Sequence, residues 1–136
     1  MHSPADVVVV GAGLAGSEAA WQLANAGLRV RLYEMRPLQT TAAHRSADCA
    51  ELVCSNSLGS RLADRAGGVL QSELRSMDCR LLDLAERHAV PAGGALAVDR
   101  EAFAAAVTAA LEAHPLVELR REEVRSVPEA RPCILA

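Results

Sequence analysis

Three glycines near the start of the chain have the spacing of a phosphate-binding loop. They stand in the hexapeptide GAGLAG, directly after the apolar run DVVVV. In such a loop the first glycine permits a tight turn, the second lets the backbone approach a pyrophosphate, and the third allows close helix packing. The helix that follows would present free N–H groups to the phosphates. The sequence thus predicts a dinucleotide site at Gly11, Ala12, Gly13, Leu14, Ala15 and Gly16.

An acidic residue stands where a ribose-binding carboxylate is expected. Glu34 follows the alternating stretch LRVRLY, which predicts a second strand. Its carboxylate would hydrogen-bond a ribose diol and repel a 2′-phosphate, which argues against NADP, although the nearby Arg36 weakens that argument. The loop and the acid alone do not distinguish FAD from NAD. A glycine-rich turn without a ligand is the remaining alternative.

Cys54 is the candidate reactive thiol among four cysteines. It lies between a short apolar strand predicted at 50–53 and a helix start predicted at Asn56 and Ser57. A helix N-terminus favours the thiolate, which is the reactive form. The alternative is a small apolar residue that fills a strand end. Packing explains Cys79 and Cys133, and the cysteine spacing predicts free thiols rather than a zinc site.

Three further side chains have open interpretations. Asp99 and Arg100 lie at a strand–helix junction, where they could form an N-cap with a surface charge or place an arginine over a cofactor. His44 lies in a polar loop predicted at 38–48, where a side chain without a ligand is the favoured interpretation over a ligand role.

Strand-like and helix-like segments alternate along the chain, which predicts an α/β fold with a parallel sheet and flanking helices. Strands are predicted at 6–10, 28–33, 95–98, 116–119 with a continuation at 124–127, and 132–136. Helices are predicted at 14–26, 70–84 and 101–113. Because the last strand ends without a cap or turn, we expect residues 1–136 to be one Rossmann-like dinucleotide-binding domain that is truncated at its C-terminus.

Composition excludes several classes of function. Aromatic residues make up 2% of the chain, too few for a platform that stacks single-stranded nucleic acid. All 14 basic residues are arginine, so this chain has no Schiff-base lysine or P-loop lysine. No run approaches the roughly 20 apolar residues of a membrane span, and no signal peptide precedes the first strand. These features predict a cytoplasmic protein without a membrane segment.

Four segments together resemble the folate- and FAD-dependent tRNA (uracil-5-)-methyltransferases. They are GAGLAGSEAAWQLA at 11–24, LYEMRP at 32–37, AELVCSNSL at 50–58 and VPAGGALAVDREAF at 90–103. The first would also fit related flavoproteins that modify the tRNA wobble uridine. ELVCSNS and PAGGALAVDR are much more specific to the methyltransferases.

The resemblance implies the chemistry and its partners. Methylenetetrahydrofolate would donate a one-carbon unit to C5 of a T-loop uridine in tRNA, and FAD, recharged by NAD(P)H, would supply the reducing electrons. Cys54 occupies the ELVCSNS position of a family cysteine, as nucleophile or general acid, and Arg100 would contact the cofactor. The alternatives are a generic FAD-dependent oxidoreductase and an inactive nucleotide-binding fragment.

Overall fold

A computed structural model of the chain describes residues 4–130 and 132–136. The strands in that part are β1 (Val7–Val10), β2 (Val30–Glu34), β3 (Ser57–Ser60), β4 (Ala89–Val90), β5 (Ala95–Val98), β6 (Val117–Arg121) and β7 (Cys133–Leu135). The helices are α1 (Leu14–Asn25), α2 (Ala66–Ser76), α3 (Arg80–Arg87) and α4 (Arg100–Ala113).

A four-stranded parallel sheet in the order β6-β2-β1-β7 confirms the predicted parallel architecture. β1 lies in the middle, and Val9 and Leu32 on β1 and β2 are fully buried. This is the burial expected of β-branched and aliphatic strands that are covered on both faces. With β6 as the third strand and β7 as the fourth, the order matches the 3-2-1-4 arrangement of doubly wound nucleotide-binding folds.

Helices α1 and α4 pack on this sheet through small and aliphatic side chains. Ala20 and Ala24 of α1 are buried, which brings its backbone close to β1 and β2. Phe103 and Leu111 of α4 enter the same core. A C-terminal glycine, Gly27, ends the first unit in a left-handed conformation with φ of 89°. The predicted β1–α1–β2 unit is therefore present.

A second sheet lies between β2 and β6 in the chain, and the sequence did not predict it. It is antiparallel, in the order β3-β5-β4. Strand β3 has the sequence SLGS, which has low strand propensity. Its pairing with the buried β5 supplies the stabilisation that its own residues lack.

The prediction of one helix across 70–84 was wrong. Two helices, α2 and α3, replace it, and Asp78 between them has a left-handed backbone with φ of 55°. The apolar stripe that suggested a single core-facing helix is interrupted, because Leu70 and Met77 are 55% and 61% exposed. The residues that α2 buries are Gly68 and Gln71 instead.

Three shorter predictions also fail within the described part of the chain. Residues 50–53 form no strand, and Ala50 has a left-handed backbone with φ of 54°. No helix starts at Asn56 and Ser57, because Ser57 begins β3. Residues 124–127 form no strand, and β6 ends at Arg121.

Candidate functional site

A cavity of about 400 Å³ lies beyond the carboxyl ends of β1 and β2. In open α/β sheets this edge is where ligands bind. Its lining includes Gly11, Ala12, Gly13 and Glu34, four of the residues predicted to bind a dinucleotide. Its volume falls within the range of roughly 300–1,000 Å³ that is typical of small-molecule sites.

The three glycines have three distinct structural roles. Gly11 has φ of +100°, and a Cβ there would lie 2.3 Å from the Ala136 carbonyl oxygen. A Cβ on Gly16 would lie 1.8 Å from the Gly11 carbonyl oxygen. A Cβ on Gly13 would meet nothing within 4 Å. Two glycines are therefore required by the protein's own packing, whereas the space beside Gly13 is open to a ligand.

The N-terminus of α1 opens at the same place. Gly13 is its N-cap residue and has no side chain to bind the first N–H groups. Leu14 and Ala15 are exposed, while Gly16 is buried beneath them. The first N–H groups of a helix have no acceptor within the helix, and together with the helix dipole they favour an anion. The arrangement fits a diphosphate.

Glu34 is buried, and both of its carboxylate oxygens are hydrogen-bonded. Oε2 accepts the Ala12 N–H at 3.2 Å, and Oε1 accepts the Arg36 Nε–H at 2.7 Å and its backbone N–H at 3.0 Å. Burial raises the pKa of Glu34, but the hydrogen bonds and charge of Arg36 outweigh it and leave the pKa below its usual value. The acid is thus held ionised beside the glycine loop.

Arg36 is bound by two carboxylates, which removes it as a free phosphate ligand. Besides Glu34, its Nη1 lies 2.9 Å from Glu51 Oε2, and the arginine side chain is 2% exposed. The sequence raised Arg36 as a possible 2′-phosphate contact. In the structure its charge is already compensated, so the sequence argument from Glu34 against NADP is not weakened by this arginine.

Residues 45–51 are attached to the glycine loop. The Ala50 N–H donates to the Ala12 carbonyl at 2.8 Å. Glu51 Oε1 accepts the backbone N–H groups of Arg45 and Ser46 at 2.9 and 3.2 Å. Sequence reasoning missed Glu51, although it stands in the AELVCSNSL segment, because its contact with Arg36 joins residues 15 positions apart.

The cavity also contains side chains from the polar loop and from the segment after β6. His44 is half-buried in its lining, and its Nδ1 lies 2.7 Å from Thr41 Oγ1. Glu122, Glu123 and Val124 line it from the other side. A ligand role for His44 stays a prediction.

Cys54 and Arg100 lie together in a separate, shallow depression of about 320 Å³, with Ser55, Asn56 and Val98. Cys54 is exposed on an irregular segment. Asn56 is not a helix cap, because its Nδ2 donates to the Val98 carbonyl at 3.1 Å. The helix-dipole argument for a Cys54 thiolate is therefore wrong, and a catalytic role for Cys54 stays a prediction.

The structure shows the first interpretation of the Asp99–Arg100 pair, an N-cap with a surface charge. Asp99 is the N-cap of α4, and its side chain accepts the Ala102 N–H at 3.0 Å. Arg100 is exposed beside Cys54 and takes no part in the lining of the glycine-loop cavity. Its predicted contact with a cofactor stays a prediction.

All four cysteines are free thiols. Cys49 is fully buried, and its N–H donates to Thr108 Oγ1 at 2.8 Å. Burial raises the pKa of the Cys49 thiol, and it does the same for Cys79. Within residues 4–130 and 132–136, no three His, Cys, Asp or Glu side chains are grouped so that they could hold a metal ion. Across the same residues, every helix is too short or too polar to span a membrane.

A family profile and curated relatives match nearly the whole chain. A family profile described as "Glucose inhibited division protein A" matches residues 6–134. A methylenetetrahydrofolate--tRNA-(uracil-5-)-methyltransferase TrmFO of Synechococcus sp. (strain CC9311) is 56% identical over 129 residues, which are 95% of this chain and 28% of that protein. The protein of the same name from Desulfitobacterium hafniense (strain Y51) is 54% identical over 96% of this chain and 30% of its own length.

A solved structure supports the fold. Aquifex aeolicus GidA, in its form II crystal, superposes with a TM-score of 0.71 at 17% identity, over 93% of this chain and 21% of that one. The chain spans less than a third of the length of the two curated relatives above. The profile match, by contrast, extends over nearly all of its residues. The chain therefore belongs to the family described as glucose inhibited division protein A.

Proposed function

We propose that the cavity between the GAGLAG loop and Glu34 binds the adenosine diphosphate half of FAD. The observation that carries the proposal is the contrast among the glycines. At Gly11 and Gly16 the protein's own atoms leave no room for a Cβ. At Gly13 a Cβ would meet no protein atom within 4 Å. The uncapped N–H groups of α1 would bind the diphosphate, and Glu34 would accept the ribose hydroxyls.

The names of the relatives support a wider function. We propose that the chain forms part of a methylenetetrahydrofolate-dependent tRNA (uracil-5-)-methyltransferase of the relatives' length. When bound, FAD would supply the electrons that reduce the transferred one-carbon unit, with NAD(P)H as the reductant. The substrate would be a T-loop uridine of tRNA, and the compartment would be the cytoplasm, where tRNA is used.

Within that enzyme Cys54 would act on the uracil ring. Uracil C5 is a weak nucleophile, and addition of a thiolate at C6 makes C5 enolate-like. C5 would then bond to the methylene carbon of the folate, and loss of the C5 proton to solvent would expel tetrahydrofolate as its C–N bond breaks. Once the methylene is reduced to a methyl group, the C6–S bond would break and the thiolate would leave. The exposure of Cys54 suits contact with a large substrate. General acid catalysis by the same thiol is the alternative role.

Arg100 supports this assignment through its position. It lies in the same depression as Cys54 and forms no ion pair with any other residue in the described ranges. A guanidinium without a carboxylate partner is available to a phosphate or to an electron-rich ring. We therefore propose that Arg100 contacts the cofactor at the point where Cys54 meets the substrate base.

A chimera tests the proposed function. The 129 matching residues of the Synechococcus relative would be replaced with those of this chain, and tRNA methylation would be measured with methylenetetrahydrofolate, FAD and NAD(P)H. We expect folate-dependent methylation that Cys54→Ala abolishes while FAD remains bound. Flavin binding without methylation would favour a generic flavoprotein oxidoreductase. Methylation by the Cys54→Ala chimera would contradict the role of Cys54.

A further inference from the structure

A buried arginine holds Glu34 from the side opposite the glycine loop. The Arg36 side chain is 2% exposed and lies between two carboxylates, Glu34 at 2.7 Å and Glu51 at 2.9 Å. Buried ion pairs of this kind contribute little net stability, because desolvation offsets the Coulombic attraction. Their best-attested value is that they specify a geometry. The geometry specified here is that of Glu34.

We propose that Arg36, held in turn by Glu51, is a positioning residue of the nucleotide site, which fixes the Glu34 carboxylate in place and keeps it charged. The inference rests on the proposed function, because it concerns the side chain that would accept the ribose hydroxyls. Arg36 itself would not touch the nucleotide.

The division of hydrogen bonds at Glu34 supports this role. Oε1 receives both donors of Arg36, its Nε–H and its backbone N–H. Oε2 receives the Ala12 N–H, the single donor to that oxygen within residues 4–130 and 132–136. A carboxylate oxygen has about two acceptor sites, so Oε2 retains one for a ligand hydroxyl. Arg36 thus selects which oxygen serves the cavity.

Glu51 fixes Arg36 in the same way. Its Oε2 accepts from Arg36, while its Oε1 is held by the backbone N–H groups of Arg45 and Ser46. These donors belong to the main chain, so the position of Glu51 does not depend on another flexible side chain. A continuous set of hydrogen bonds runs from this segment through Arg36 and Glu34 to the glycine loop.

The charge of Glu34 depends on this contact. Burial alone raises the pKa of Glu34, and Arg36 reverses that effect. The other charged or titratable groups around the carboxylate are Cys49, Arg121, His44, Glu122 and Glu123. All of these groups remain in a variant that changes Arg36 alone. Arg36 also lowers the pKa of Glu51, so a difference in pH profile between that variant and the wild type reports on the two carboxylates that Arg36 contacts, and Glu51→Gln separates them.

The test is the binding of ADP and FAD to the 136-residue chain at about pH 6 and about pH 8. We expect wild-type affinity to change less than about twofold between these values, because Glu34 stays ionised. In Arg36→Met the pKa of Glu34 would rise, because burial would no longer be opposed by the arginine, so we expect affinity to fall more at the lower pH than at the higher pH. Arg36→Lys, which retains the charge, should restore the flat profile. An equal loss at both pH values, or no loss, would overturn the inference.

If circular dichroism shows that Arg36→Met does not fold, Glu51→Gln is the variant to measure instead. We expect it to weaken ADP binding by about three- to tenfold, because Arg36 loses one of its two anchors. Glu86→Gln is the matched control, since Glu86 also bridges two arginines, Arg61 and Arg75, but lies outside the cavity lining. Equal effects of the two substitutions would overturn the positioning role. A wild-type chain that binds neither ADP nor FAD would contradict the proposed function, and the inference with it.

Discussion

The glycine-loop cavity and the Cys54 depression differ in how firmly the protein holds them. In the cavity, Glu34 and Arg36 are at most 5% exposed and paired with each other, and Gly16 leaves no room for a methyl group. In the depression, Cys54 and Arg100 are exposed. The first region is pre-organised within this chain, as nucleotide sites usually are. The second presents reactive groups whose geometry a partner would have to complete.

The alkylation rates of Cys49 and Cys54 provide the largest expected contrast. Cys49 is fully buried, whereas Cys54, five positions later, is exposed. Alkylation of Cys49 requires the native structure to open, at a free energy close to that of unfolding. We expect iodoacetamide to modify Cys54 at least about 1,000-fold faster, which corresponds to about 4 kcal/mol of protection. Peptide mapping by mass spectrometry measures both rates in one sample, and similar rates would remove the distinction between the regions.

Glycine substitutions should be costly in the glycine loop and mild in β3. Alanine favours a helix over glycine by about 1 kcal/mol. At Gly16, however, a Cβ would lie 1.8 Å from a carbonyl oxygen, so we expect Gly16→Ala to reduce the free energy of unfolding by about 3 kcal/mol or more.

Gly59 in β3 is the matched control. A Cβ there meets nothing within 4 Å, and the φ of +93° is its one source of strain. We expect Gly59→Ala to reduce the free energy of unfolding by about 1 kcal/mol. Urea denaturation of both variants tests the difference, and a larger loss for Gly59→Ala would refute this view of the two regions.

Alkaline pH should weaken the folded state through the buried thiol. Burial raises the pKa of Cys49 in the folded protein, so the unfolded chain loses that proton first. Stability is therefore fully present below about pH 8.5, where an unfolded thiol ionises, and declines as the pH rises toward the folded-state pKa. Cys79 contributes in the same direction. The absence of lysine from the sequence removes the usual competing titration.

The control for this effect is Cys49→Ala. We expect its stability to fall less steeply with pH than that of the wild type, whatever its starting value. Urea midpoints measured from about pH 7 to about pH 10 give both slopes. Parallel slopes would show that folding does not raise the pKa of Cys49.

Sequence patterns predicted the cavity better than the depression, and the reason is physical. Local geometry determines the residue types in the GAGLAG loop, in the strand DVVVV and at Glu34, so a short stretch of sequence is enough to predict them. Strand β3 forms because β5 pairs with it, although SLGS has little strand propensity. The break at Asp78 and the Glu51–Arg36 contact depend on tertiary packing, which periodicity does not record.

Cys54 illustrates the same limit. Its candidacy came from a predicted helix start and from a family resemblance, and the helix start was wrong. What remains is an exposed thiol beside Arg100 in a segment similar to that family. A local pattern could identify the residue, but not the surroundings that would set its reactivity.

Titration of the 136-residue chain with FAD, followed by fluorescence, tests the central claim most directly. We expect saturable binding by the wild type. We expect Gly13→Val to weaken binding at least about tenfold, about 1.4 kcal/mol, because the branched side chain would occupy the space open to the diphosphate. The melting temperature should change little, because a Cβ at Gly13 meets no protein atom within 4 Å. Unchanged FAD affinity in a folded Gly13→Val chain would contradict the placement of the nucleotide at this loop.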